Sequence, residues 1–318
     1  MNTHRIPAPL ALLALLPLLT MRAHAQGSLT PPAGVPGLTM KSLDQIEART
    51  AIPRSAAVPV AGPHYTIMSP GSYYLTGNLV VTAGDAIRIF SDNVTLDLNG
   101  FTISSAASPA SGSGIVIGND RSNIRIRNGI ITGPTPPVAG AGFQSGILSG
   151  FSASRNIAVS DIHVSGAGIG GGIILNSKSA PGTLVERCTV NGSGAQGIVA
   201  HTVRSSQAVD CVIDAIAATI VSDSAGVSTG NGANSDGIEA REVCNCTGAA
   251  ASGNGILASN VSNSTGTSTA ATGIIATTAS FCRGKRDGGV AISASIAIGC
   301  TVDGTGTVSS AQKHLGTP

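Results

Sequence analysis

Four consecutive blocks of 18 residues align without a gap: DGIEAREVCNCTGAAASG (236–253), NGILASNVSNSTGTSTAA (254–271), TGIIATTASFCRGKRDGG (272–289) and VAISASIAIGCTVDGTGT (290–307). Their third position is Ile238, Ile256, Ile274 and Ile292, their fifth Ala240, Ala258, Ala276 and Ala294, and their eleventh Cys246, Ser264, Cys282 and Cys300. A further block, 218–235, sets Ile220 at position three and Ser228 at position eleven. A short fixed period marks a solenoid, in which one repeat cannot bury its own apolar stripe and stacks on its neighbours. The pieces between the strands are too short for crossover helices. Gly, Ser, Thr and Val also argue against a helical solenoid. What remains is a chain that winds so that each coil pairs in parallel register with the next, about 4.8 Å away.

The same unit recurs upstream with longer loops. Gly-Ile openings stand at Gly114-Ile115, Gly146-Ile147, Gly172-Ile173 and Gly197-Ile198, preceded by Ala86-Ile87. Alternation in the short strands turns Val94, Leu96 and Leu98, then Ile124 and Ile126, then Ile157 and Val159, to one face. The position that holds Cys in the later blocks is read upstream as Asn99, Asn128, Asp161, Cys188 and Cys211. The spacing along that column shrinks towards the C-terminus.

The ends read differently. Residues 1–25 have the form of an export leader, with Arg5, an apolar run over Leu10–Leu19 and a small-x-small site at Ala23-His24-Ala25, so the mature chain is expected to begin at Gln26. That run is shorter than a spanning helix needs. Residues 26–63 read as Pro- and Gly-rich linkers around a short capping helix over 39–50. Met40, Leu43 and Ile46 recur there at helical spacing, and Ser42 to Gln45 fits a capping box. Residues 64–310 form the solenoid, and 311–318 a tail. A formal net charge of +2 is too small to imply a nucleic-acid or anionic-membrane partner. With 42 Gly, no Trp and 3% aromatic residues, the chain suits thin stacked coils better than a compact globular core.

GSYYLTGNL (71–79), NVTLDLNGFTI (93–103) and the successive G-I…C-T-V-x-G units resemble the secreted right-handed parallel β-helix repeat proteins of the pectin-lyase-like superfamily. The resemblance covers residues 64–307 and implies an all-β, single-stranded, right-handed parallel β-helix. It is not specific for activity, because that fold hosts lyases, hydrolases, tailspikes, adhesins and binders without catalysis. The superfamily's enzymes imply calcium-holding carboxylates with a basic residue, or paired Asp followed by G-H-G and R-x-K. This chain has no N-T-D, D-D, G-H-G or R-I-K.

Two polar patches stand out. Aligning NVTLDLNG on NIRIRNG sets Thr95 beside Arg125 and Asp97 beside Arg127, which suits either an anionic-sugar contact or a cross-coil ion pair. Glu186, Arg187, His201 and Asp210, with Arg204, Asp214, Glu239, Arg241 and Glu242 around them, form a second candidate. Paired carboxylates there would serve glycoside cleavage only at about 5–9.5 Å separation. Neither a transition-metal motif nor a cofactor is expected, since Cys244-Asn-Cys246 lacks zinc-ribbon spacing. The cysteine column permits Cys188–Cys211 and Cys282–Cys300 disulfides, against which stands a ladder of unbonded small side chains. The resulting expectation is an exported β-helix, secreted, periplasmic or at the cell surface, that engages a polysaccharide or cell-surface glycan along one face. The alternatives are a diverged polysaccharide lyase or glycoside hydrolase, and a structural or adhesive surface protein.

Overall fold

The structure, a computed structural model, describes residues 48–53, 60–133, 140–150, 154–232 and 234–313. The leader, the start of the mature chain, residues 39–47 of the helix expected over 39–50 and the end of the tail lie outside the described residues. The described residues contain no helix, and their short strands join in one continuous parallel ladder. They wind as a β-helix of about eleven turns, right-handed as such parallel crossovers are. The solenoid begins earlier than residue 64: Thr50–Ile52 pairs with Tyr73, Tyr74 and Leu75, and Val60–Ala61 with the strand Leu79–Ala83. Thr50, expected to end a helix, therefore opens a strand, and part of the expected linker is first-coil ladder. At the other end the strand Thr307–Lys313 runs into the segment expected to be tail.

Three inward columns explain the shape. The first is Ile87, Ile115, Ile147, Ile173, Ile198, Ile216, Ile238, Ile256, Ile274 and Ile292, each stacked on the next and each 0% exposed. Full burial of each contributes about 1.5–3 kcal/mol. The second column is Tyr73, Leu96, Ile126, Val159, Val185, Val203, Val221, Val243, Val261, Ala279 and Ala297. The third runs Leu79, Ile103, Ile131, Val164, Val190, Ala208, Gly226, Gly248, Gly266 and Gly284, with Val302 on the last coil. Both tapering columns lose volume as the coil shortens, from the long coil that joins Ile115 to Ile147 to the short one that joins Ile256 to Ile274. In the short coils the facing strands touch backbone to backbone. A Cβ on Gly248 would lie 2.1 Å from the Gly255 carbonyl oxygen, and one on Gly266 2.2 Å from that of Gly273.

The register corrects two expectations. Ile238 stacks on Ile216, not on Ile220, because the intervening coil is longer than the blocks that follow it. Block 218–235 is therefore out of phase with those four. The expected Asn, Asp and Cys column is two adjacent columns. One is a left-handed corner formed by Asn99, Asn128, Asp161, Arg187, Ser205, Asp223, Asn245, Asn263, Phe281 and Gly299, with φ between 46° and 63°. The other is the next residue inward: Ile162, Cys188, Ser206, Ser224, Cys246, Ser264, Cys282 and Cys300. Ser and Cys replace one another in it because each turns its O–H or S–H back to the carbonyl two residues earlier, as in Ser264 to Ser262 (2.7 Å) and Cys246 to Cys244 (3.0 Å).

Cys211 belongs to neither column. It stacks between Ser193 and Ser228, while Cys188 stacks on Ser206. A strand's length of about 16 Å separates Ser206 from Cys211, so the Cys188–Cys211 bridge does not fit the register. Cys282 and Cys300 are neighbours, as expected, and all six cysteines are free thiols. Burial pushes Cys188 and Cys246 up to about 11 and Cys211 to about 12, which leaves these thiols protonated and unreactive.

Candidate functional site

The first patch assembles as alternation required. Arg125 lies beside Thr95 and Arg127 beside Asp97. Asp97 is already satisfied: Arg127 Nη2 stands 3.1 Å and Arg49 Nη1 3.7 Å from its Oδ2, while the Asn99 N–H (2.8 Å) and Asn128 Nδ2 (3.3 Å) donate to its Oδ1. Arg49 in turn sits 4.5 Å from the centre of the Tyr74 ring. Two cations and two N–H groups fill the carboxylate, so this patch is a clamp across the early coils.

The second patch is not brought together. Arg187 donates to both Asp161 oxygens, at 2.7 and 3.0 Å, and pairs with Glu186 at 2.7 Å. Its hydrogen bond holds Asp161 below the ordinary carboxylate range. Asp210 is exposed, at a left-handed position in the strand Gln207–Cys211. His201 lies on the strand Ile198–Arg204 and has other neighbours.

Those neighbours form a cleft of about 400 Å³, lined by Lys178, Ser179, His201, Thr219, Arg241 and Ser259. His201, Thr219, Arg241 and Ser259 hold equivalent places on successive coils, at the bend where one strand direction gives way to the next. Lys178 and Ser179 come from the 176–183 turn between the strands Ile173–Leu175 and Leu184–Glu186. This turn folds down over the coils that follow. Thr219 Oγ1 donates to the Lys178 carbonyl, and the Lys178 ammonium pairs with Glu239. The turn closes over the strand below through the His201 N–H, which donates to Thr183 Oγ1 at 2.7 Å. The imidazole Nδ1 of His201 is buried without a hydrogen-bond partner.

Within electrostatic reach of the Lys178–Glu239 pair runs a ladder of polar side chains. Asp214 Oδ1 accepts from the Asp236 N–H (3.0 Å), and Asp236 Oδ1 from the Asn254 N–H (2.5 Å) and Nδ2 (3.1 Å). Burial pushes Asp214 up to about 6, with repulsion from Glu239 and Asp236 adding to it and Lys178 opposing it. Burial also raises Asp236. Beside the cleft, a shallow groove of about 390 Å³ crosses the next strand positions, its wall made by Ser222, Glu242, Asn260, Ser262, Thr278 and Ser280 among others. Among the described residues, no three His, Cys, Asp or Glu side chains are grouped to hold a metal ion.

Of the cleft residues, the sequence pointed to His201, Glu239 and Arg241. It gave no sign of Lys178, Thr219 or Ser259, beyond the Ser-Lys-Ser-Ala-Pro-Gly insertion that lengthens the coil after Ile173. No protein-family model matches the chain, and no curated protein matches it. Among solved structures, the enzymatically active domain of tailspike protein 2 from bacteriophage CBA120 aligns over 77% of this chain at 12% identity, with a TM-score of 0.33. The alignment spans 42% of that domain. The β-helix assignment rests on the strand register itself.

Proposed function

We propose that this is an exported carbohydrate-binding β-helix whose cleft between the 176–183 turn and the His201–Ser259 column takes a saccharide. One observation carries the reading: Lys178, paired with Glu239, and Arg241, paired with Glu242 at 3.0 Å, share a cleft with three hydroxyl side chains and His201. Sugars need such convergent polar groups in a partly closed site. The groove beside the cleft, where Asn260, Ser262, Thr278 and Ser280 stand among apolar positions such as Ile220, extends the contact along the axis. Export is read from residues 1–25. N-terminal sequencing of secreted material should begin near Gln26, and Met1 retained on membrane-bound protein would mean an anchor.

The test is a glycan array followed by product analysis with uronic-acid polymers. Retention without turnover is expected, weakened in Arg241→Ala. A second reading, a diverged lyase or hydrolase, is favoured by Asp214 alone. A carboxyl raised to about 6 beside other carboxylates keeps its proton into the mildly acidic range, where a general acid can use it. Product release abolished by Asp214→Asn would establish that reading. Neither retention nor release would leave a structural or adhesive role.

A further inference from the structure

We infer that Phe281 is a stacking platform for the apolar face of a sugar ring, at the C-terminal end of the groove. The inference rests on the carbohydrate reading above and names a subsite within it. Phe281 occupies the left-handed corner column at φ 53°. The other nine members are Asn, Asp, Ser, Gly and one Arg, mostly the residues whose short side chains tolerate this conformation. A bulky aromatic there is an outlier, and backbone strain of this kind persists where something else favours the residue.

Core packing does not favour it, because Phe281 is 65% exposed. The local alternative is that the ring covers a glycine on the next coil: a Cβ on Gly299 would lie 2.8 Å from ring carbon Cδ1. Phe90 is the internal control. Its ring lies over Gly118 in the same way, with a Cβ there 2.4 Å from Cδ1, yet Phe90 is not among the left-handed residues. Covering a glycine therefore does not demand a phenylalanine in a strained corner.

Position supplies the remaining support. Phe281 directly follows Ser280, which with Thr278, Asn260 and Ser262 lines the groove. Hydroxyls and amides along the groove address the equatorial edge of a saccharide. A flat apolar ring at its end addresses the C–H face, which those groups cannot satisfy. The ligand class is an oligosaccharide long enough to reach from the Arg241 cleft across the coils of Asn260 and Thr278.

The experiment compares wild type, Phe281→Asn and Phe281→Trp on the glycan that wild type retains. Phe281→Asn installs the residue found at the equivalent Asn245 and Asn263. It should melt no lower than wild type yet bind at least about fivefold more weakly. The chain has no Trp and three Tyr, so Phe281→Trp places the one indole, excited selectively above the tyrosine band, at the platform. It should retain the glycan, and its emission should shift as oligosaccharide is added. A Phe281→Asn protein that binds like wild type but melts lower would make the ring a cover for Gly299 and overturn the platform alone. A wild type that retains no glycan would overturn the carbohydrate reading and the platform together.

Discussion

Around Ile115 and Ile147, long coils enclose a core filled by Ile131, Phe143 and Val164. Around Ile256 and Ile274, the short repeating coils leave the same inward column only Gly248, Gly266 and Gly284. The isoleucine column is common to both regions, so it does not set the width of the solenoid. The opposite wall does, by stepping from Leu and Ile through Val and Ala to Gly. The candidate cleft lies where the width changes. The 176–183 turn belongs to the coil of intermediate length between Ile173 and Ile198, and it can fold over Thr219 and Glu239 because the coils beneath are narrower. A change of coil width can therefore leave room for an overhanging turn and a cleft that uniform coils would not provide.

If the wall sets the width, adding volume to it should harm the narrow coils more than removing volume harms the wide ones. Gly266→Val would drive a side chain into the Gly273 carbonyl and should cost about 4 kcal/mol or more, outside the ordinary run of single substitutions. Val164→Ala in a wide coil should cost only about 1–3 kcal/mol. Urea denaturation of the two variants decides the matter, and equal costs would mean that the narrow coils have slack. Next in size is Ile256→Ala in the shared column, at about 2–5 kcal/mol by cavity formation. A loss below about 1 kcal/mol in the same measurement would contradict the full burial of that residue.

Much of the fold was legible because burial on one face imposes period-two alternation. The four in-phase blocks and the isoleucine column followed directly from it, as did the pairing of Thr95 with Arg125 and Asp97 with Arg127. The taper was not legible. Gly248 and Gly266 look in sequence like turn formers, and only the closeness of the facing backbone makes them wall residues. The cysteine column of the sequence merges separate positions: Asn128 and Asp161 belong to the left-handed corner, Cys188 follows that corner by one residue, and Cys211 lies a strand further on. The corner and the position after it are both small polar positions at the same bend, so sequence could not separate them. By sequence position His201 groups with Glu186, Arg187 and Asp210. Its true neighbour across the cleft is the turn holding Lys178, whose contact with Glu239 spans 61 residues through an insertion of no repeating length.

The buried ladder near the Lys178–Glu239 pair gives a smaller, pH-dependent effect with no counterpart at the solvated Asp161–Arg187 pair. Asp214 is raised to about 6 in the folded chain, against an unfolded value of about 3.9. Between these values the folded state holds the extra proton, so stability falls as pH rises through that window and is greater near pH 4 than pH 7 as far as this group decides. Asp214→Asn keeps an acceptor for the Asp236 N–H and removes the charge. It should be more stable than wild type at pH 7, by about 1 kcal/mol once solvent screening is allowed for, and should lose this part of the pH dependence. Thermal melts of both proteins from pH 4 to 7 are the measurement. Parallel curves would place the raised carboxyl elsewhere.

The smallest effect is expected at the early clamp, where the comparison of regions returns to the wide coils. Arg127 is half-exposed, while the Asp97 side chain it meets is only 10% exposed and is also served by Arg49, Asn99 and Asn128. Removing one of two cations from a carboxylate that keeps its other partners leaves no bare buried charge. Arg127→Ala should therefore cost under about 1 kcal/mol, and less as salt is added. It should also leave glycan retention unchanged, whereas Arg241→Ala in the cleft weakens it. The same charge deletion in two regions thus separates a clamp from a binding site. If Arg127→Ala weakened retention as much as Arg241→Ala, the carbohydrate face would extend over the wide coils, and the change of width would no longer mark where the ligand binds.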